Sequence, residues 1–342
     1  MLILGDLACP SKAISTRLIE DMRAMGIFDN ELILCNFEGL LAENASLEDE
    51  KLFNVEDVLR AFTPEQTVFS LANNHIYDYP EYIEKTERTL NNWGFYTVGV
   101  KHGESLTPTV LTWRGTKYAF FAHCWNVYTR TNSNNINDIS IVDDDYPIFV
   151  NAVSEYARSH AEQRVICYFH WNYDFEEIPF PMHREIARSL AEAGVYSVVG
   201  GHSHVPQGGE MINGCPVLYG LGNFFIPSGV YFGGALKYPK ESLITTVLDI
   251  DDETDDVNCY WLETDGEHAI SLIKAERFDD GNLIKRFSPY RGMGNDEYVS
   301  YFKKNRTKNS LVPVFDRYEG ATAKLKQLFA VIRIKLIKAI KG

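Results

Sequence analysis

The stretch Val198-Val199-Gly200-Gly201-His202-Ser203-His204 decides how this 342-residue chain is read. The apolar residues 195–199 read as a short buried strand that closes into a glycine turn. Two histidines one residue apart, just past that turn, bring both imidazoles near one point beyond the strand end. Neutral imidazole is the commonest nitrogen ligand of transition metals, so the pair suits a metal site. Taken alone, H-x-H fits a solvated loop equally well, and the surrounding sequence must decide.

Working outward, apolar runs at 1–4, 31–35, 67–71, 118–122, 164–169, 196–199 and 216–219 read as strands. Helical patterns around Leu18 and Met22, at 82–90, at 150–156 and at 183–193 separate them, the last stopping at Gly194. That alternation predicts an α/β layered fold. Polar residues gather just after the strands. Asp6 follows the first, Asn36 and Glu38 the second, and Asn73, Asn74 and His75 the third. His170 ends a later strand, and His202 with His204 follow the next. Ligand sites of α/β sheets form beyond the carboxyl ends of their strands, so five strand ends deliver metal-capable groups to one edge. Each group also has a plain structural reading. Asp6 and Glu38 can cap turns, Asn73 and Asn74 can form one, and His170 can be a core histidine against Trp171. His123 ends a strand and reads as pocket wall or as core. His183, at a helix start, reads as a surface cap ahead of a part of the substrate wall, and His102, His160 and His268 as surface residues.

Composition sets the outer limits. With 45% hydrophobic and 23% charged residues the chain reads as a soluble globular protein. A net charge of −14 argues against nucleic acid as a partner, but a bound cation would still permit phosphorylated substrates. The six cysteines (Cys9, Cys35, Cys124, Cys167, Cys215, Cys259) are scattered without a C-x-x-C pair and read as reduced, buried thiols. No signal-peptide pattern or membrane-spanning run is visible, so the expected location is cytoplasmic, peripheral at most to the inner face of the membrane. Beyond residue 225, segments 242–249 and 258–263 read as strands joined by the acidic turn 251–256. Residues 321–342 hold five lysines, one arginine and no acid, with Leu325, Leu328, Phe329, Ile332, Leu336 and Ile340 at helical spacing. Such a helix either lies on an anionic membrane surface or packs its apolar face on the acidic body. The expected division is a main domain over 1–290 and a C-terminal extension over 291–342.

Collected, Asp6, Glu38, Asn74, His170, His202 and His204 offer two carboxylates, one amide oxygen and three imidazoles. That mixture suits Mn, Fe or Zn better than Mg or Ca. Six ligands exceed one four-coordinate zinc and fit two divalent ions sharing a carboxylate, about 3.5–4 Å apart.

The colinear series Gly5-Asp6, Asn36-Phe37-Glu38-Gly39, Ala72-Asn73-Asn74-His75, His170-Trp171 and Gly201-His202-Ser203-His204 resembles the calcineurin-like metallophosphoesterases. It looks most like their CapA branch, the bacterial capsule and poly-γ-glutamate biosynthesis proteins. Asp78, Gln207, Glu210 and Leu221-Gly222-Asn223-Phe224 add to that likeness, which covers about residues 1–228. The resemblance implies a four-layer αββα sandwich, two sheets flanked by helices, with a dimetal site at the strand ends and a helical C-terminal tail. It further implies Asp6 and His204 on one metal, Glu38 as the bridge, and Asn74, His170 and His202 on the other. His75 would be the proton donor to a leaving alkoxide or a contact for the substrate anion, with Asp78 beside it among the catalytic residues. Asn36, Asn73, His123 and Trp171 would stand behind the ligands or against the substrate. One position departs from the wider family. Its first motif is D-x-H, whereas this chain has Asp6-Leu7-Ala8, so one metal lacks a ligand, a lack that CapA-like sequences share.

The activity implied is phosphoester hydrolysis by a hydroxide activated between two metals, in synthesis of a bacterial surface polysaccharide or polyanionic polymer. The substrate would be a phosphorylated glycan, polymer end or lipid-linked precursor. The same site could instead polarise a carbonyl for peptide epimerisation. A third reading is a non-catalytic assembly factor of a polymer synthase. Aromatic- and amide-rich segments 125–135, 172–180 and 227–238 are the expected pocket wall.

Overall fold

The opening Leu2-Ile3-Leu4 is apolar on both sides of the strand because both its faces are covered. β1 (Leu2–Leu7) is buried at every residue, as a central strand of a covered sheet should be. The computed structural model describes residues 1–42, 51–103, 106–125, 138–139, 145–171, 173–308, 312–314 and 320–341. After β1 the chain runs through α1 (Lys12–Met25), β2 (Ile33–Phe37), β3 (Leu40–Ala42), β4 (Phe53–Val55), β5 (Thr67–Ser70), α2 (Ile83–Asn92) and β6 (Tyr96–Val98). It then builds β7 (Thr109–Trp113), β8 (Thr116–Trp125), β9 (Asp138–Ile139), α3 (Asp145–Ser159), β10 (Gln163–His170), α4 (Pro181–Glu192), β11 (Ser197–Gly201), β12 (Pro206–Ile212) and β13 (Cys215–Leu221). The path returns through β14 (Asn223–Phe225), β15 (Ile244–Ile250), β16 (Val257–Thr264) and β17 (Ile270–Arg277), and closes with α5 (Asn282–Phe287), α6 (Asn295–Asn305) and α7 (Ala321–Lys341).

Two sheets result. The first has the order β17-β16-β15-β1-β2-β5-β6, with β14 also paired to β1; the second has the order β12-β13-β11-β10-β8-β7, with β9 on β8. β3 and β4 form a separate small pair. The centres of both sheets are parallel, β1 with β2 and β5, and β8 with β10 and β11, whereas the flanking hairpins are antiparallel.

Side-chain alternation shows how the layers stack. On β8 and β10, Tyr118, Phe120, Ala122, Ile166 and Tyr168 belong to one core with the first sheet. Their neighbours Ala119, Phe121, Val165, Cys167 and Phe169 pack instead with Phe149 and Val153 of α3 and Ile186 and Leu190 of α4. Leu18 and Met22 of α1, with Ile83 and Leu90 of α2, join the first core, with α1 against β17 and α2 against β6. The fold is therefore the helix–sheet–sheet–helix sandwich anticipated above. Gly5 has no alternative at its position, because a Cβ there would lie 1.9 Å from the Gly222 carbonyl oxygen.

The apolar runs named from sequence all lie within or overlap the central strands, and the turn 251–256 does join β15 to β16. Less legible were the edges: β6, β7, β12 and β17. In β17 every residue after Ile270 is at least partly exposed, Leu272 and Ile273 among them, so no buried face marks it as a strand. All six cysteines are buried, and none of them forms a disulfide. His183 is corrected from a surface cap to a buried residue, 1% exposed, because α4 turns that face onto the second sheet. Part of the C-terminal region belongs to the body: Tyr298 and Phe302 of α6 are buried in the second core. In α7, by contrast, Leu325, Leu328, Phe329, Ile332 and Leu336 face solvent while Ala330 is buried. No helix among the described residues is long and apolar enough to cross a membrane. Of the expected pocket wall, residues 126–135 and Asn172 lie outside the described residues.

Candidate metal centre

The strand ends that carry the motifs meet where β1 and β2 of one sheet face β10 and β11 of the other. Asp6 sits at an irregularity in the β1 pairing with both β2 and β14, which turns its carboxylate inward. There it is fully buried. Asn36 Nδ2 donates to Asp6 Oδ1 at 2.7 Å, and the His202 backbone N–H donates to Asp6 Oδ2 at 3.0 Å. This second bond ties the histidine loop to the opposite sheet. Gly201 makes the approach possible, since a Cβ there would be 2.5 Å from Asp6 Oδ1.

Two amides brace the floor. Asn73 Nδ2 donates to the Phe37 carbonyl at 2.9 Å and to Asn36 Oδ1 at 3.3 Å, while its Oδ1 accepts from Gly39 and Ile76 backbone N–H groups. Asn36 Nδ2 also lies 3.3 Å from His170 Nδ1. The polar groups at the ends of β2 and β5 thus position one another before any ligand arrives.

The ligand candidates converge on this floor. His170 Nε2 lies 2.6 Å from Asn74 Oδ1, 3.0 Å from His202 Nδ1 and 3.7 Å from Glu38 Oε1. Metal–ligand bonds of ~2.0–2.2 Å place neighbouring ligand atoms roughly 3–3.5 Å apart, close to this spacing. Both Glu38 oxygens are buried without a hydrogen-bond partner. A carboxylate in that state is costly unless a cation completes it. Glu38, His202 and His204 also present ligand atoms all within 4.8 Å of one another. On the far side His204 Nδ1 is 3.5 Å from Asp6 Oδ2 and 2.7 Å from Asn223 Oδ1. His202 and His204 both hold left-handed backbone, with φ of 73° and 54°. These angles are uncommon outside glycine and fold the loop so that both imidazoles reach one centre.

Electrostatics agree with the geometry. Burial pushes the Glu38 carboxyl well above its usual range, and Asp6 and Asp78 add to the rise. Burial raises Asp6 as well, against the opposing influence of His204 and the Asn36 hydrogen bond. His202 is pushed down to about 3, first by burial and then by His204. His170 is lowered well below its ordinary value, again chiefly by burial. These two imidazoles therefore stand neutral with lone pairs available, and a divalent cation would offset the cost of the buried carboxylates. The mixed oxygen and nitrogen donors, the orphaned Glu38 carboxylate and the spacing all fit a divalent transition metal.

At the rim, His75 Nδ1–H donates to Asp78 Oδ2 at 2.8 Å, and Lys51 Nζ lies 3.7 Å from the other Asp78 oxygen. Two other anticipated neighbours are not brought to the cluster. Trp171 stacks between Phe169 and His183 in the second core, and His123 packs against Phe149 on the same side. Both point toward α3 and α4, away from the ligands. Gln207 and Glu210 also build structure, Glu210 pairing with Arg184 through bonds of 2.7 and 2.9 Å and Gln207 Nε2 donating to the Glu176 carbonyl.

Two features escaped the sequence reading. Asn223, in register with Asp6 across β1 and β14, holds His204; the Leu221-Gly222-Asn223-Phe224 motif was its signal. The other is a strap from the C-terminal region. Thr307 and Lys308 backbone N–H groups donate to the two oxygens of buried Glu176 at 2.9 and 3.0 Å, and Lys308 Nζ reaches Asp174 at 2.9 Å. Between those acids Phe175 donates its N–H to the Ser203 carbonyl and packs near His204. No local pattern announces contacts more than a hundred residues apart.

The chain is similar to known proteins. The chain is 28% identical over 168 residues to the PGA biosynthesis protein CapA of Bacillus subtilis (strain 168), covering 48% of this chain and 43% of that one. It is 27% identical over 89 residues to the capsule biosynthesis protein CapA of Bacillus anthracis, covering 25% and 22%. The matched region is thus less than half the length of these curated relatives. Among solved structures, TT1561 of Thermus thermophilus aligns with a TM-score of 0.39 and 12% identity, over 72% of this chain and 93% of that one. Residues 16–228 match the model of the family described as bacterial capsule synthesis protein PGA_cap. That match spans most of the chain, from α1 to just past β14, and the chain belongs to this capsule synthesis family.

Proposed function

We propose that the chain is a metal-dependent phosphoesterase acting on a phosphorylated glycan, polymer end or lipid-linked precursor of a bacterial surface polymer. The observation that carries this reading is Glu38, a fully buried carboxylate with two unpartnered oxygens beside the imidazoles of His170, His202 and His204. Glu38 would bridge two divalent ions, with Asp6 and His204 on one and Asn74, His170 and His202 on the other. When bound, such a pair supplies Lewis-acid polarisation of a phosphoryl oxygen and lowers the pKa of water. The chain's own residues do the rest. Asn36, Asn73 and Asn223 hold the ligands in orientation. Asp78 fixes the His75 ring through Nδ1, which leaves Nε2 to pass a proton to a leaving alkoxide. His75 is near enough for its charge to act on Asp6 and His170. The names of the Bacillus relatives support the pathway, and the donor set supports the chemistry.

Paired variants test the assignment. His75→Ala should keep its metal while turnover falls about 10²–10⁴-fold. His202→Ala should lose metal and turnover together. Full activity in both variants would overturn the assigned roles.

A further inference from the structure

Amphipathic helices of globular proteins normally bury their large apolar residues. α7 is seated the other way round. Its small residue Ala330 is 3% exposed and packs in the second core, whereas Leu325, Leu328, Phe329, Ile332 and Leu336 are 66%, 57%, 49%, 47% and 58% exposed. With about 100° per residue, those five positions form one stripe along the helix and Ala330 falls on the opposite side. The same spacing puts Lys324 on one flank of the stripe and Lys326 with Arg333 on the other.

We propose that this stripe docks α7 onto an anionic lipid bilayer. Five lysines and one arginine with no acid lie in the segment 321–342, although the whole chain carries −14. Large apolar side chains flanked by long cations match a surface that offers hydrocarbon beneath a negative headgroup layer. Two copies of α7 laid stripe to stripe would bring like charges together, which disfavours self-association as the cover. A lipid surface satisfies stripe and flanks at once. The inference is independent of the metal centre, because no α7 residue belongs to it.

Flotation of the full chain with vesicles tests it, using phosphatidylcholine alone and phosphatidylcholine mixed with phosphatidylglycerol. The chain should float with the anionic vesicles only, and release as salt rises toward ~0.5 M. The triple variant Leu328→Ser, Phe329→Ser, Ile332→Ser changes exposed positions, so its melting temperature should match the wild type while partitioning falls more than tenfold. Neutralising three cations, Arg333→Gln, Lys335→Gln and Lys338→Gln, should weaken partitioning on the order of a hundredfold. Equal flotation with both vesicle types would overturn the proposal, as would no flotation with either. So would a concentration-dependent dimer, without flotation, that the serine variant abolishes; a second copy would then cover the stripe.

Discussion

Replacing Glu38 by glutamine separates a metal ligand from a structural carboxylate. Glu38 is buried, carries two unpartnered oxygens and feels Asp6 and Asp78 nearby. Its carboxyl is raised by that environment, so the metal-free fold favours the protonated form. The stability associated with that proton is present below the unfolded carboxyl pKa, near 4.3, and is lost as pH rises through the folded value. Glutamine keeps the shape and removes the charge. Relieving that buried, unsatisfied carboxyl is worth about 1–3 kcal/mol, or roughly 1–4 °C in a chain of this size. Glu38→Gln should therefore melt higher than wild type in excess chelator at pH 7.5. With divalent metal at about a thousand times its dissociation constant, wild type should gain about 4.1 kcal/mol and the variant little, so the ranking reverses. Differential scanning calorimetry of both proteins, with chelator and with Mn, reads this crossing. A variant that melts lower than wild type in chelator would refute the reasoning and make Glu38 a structural partner.

Asn223→Ala should free the His204 ring and weaken metal binding about 10–100-fold by calorimetric titration, with the fold unchanged by circular dichroism. His123 is lowered well below its ordinary value, first by burial and then by Lys101, so in the unfolded chain it takes up a proton that the fold refuses. The stability at stake is complete above about pH 6.5 and lost as pH falls toward the folded value. Between pH 7 and pH 5, His123→Phe should therefore lose about 2 kcal/mol less than wild type in urea unfolding of chelated protein.

The centre of the fold and most of the site were legible because both rest on local pattern. Buried parallel strands are continuous apolar runs, and candidate ligands just past their ends are bound to meet once the sheets form. Orientation across a sheet was less accessible. His123 and His170 both lie on strands, but β8 and β10 pair Phe169 with His123, so His123 shares the face turned to the helices. His170, one residue on, faces the first sheet; alternation is written in the sequence, but which face meets the partner sheet is not. Asn223 and the Glu176 strap depend on register and on contacts between distant segments, which composition and periodicity do not encode. The exposure of the α7 stripe was open for the same reason, since periodicity defines a face without saying what covers it.

The central claim is that the buried cluster is a metal centre, and metal stoichiometry tests it most directly. Gently purified protein equilibrated with Mn, freed of excess and measured by inductively coupled plasma mass spectrometry should hold close to two ions per chain. Those ions should depart in Glu38→Gln and His202→Ala, and hydrolysis of p-nitrophenyl phosphate should follow the metal content. Wild-type protein that retains no ion after equilibration with Mn, Fe or Zn would contradict the account.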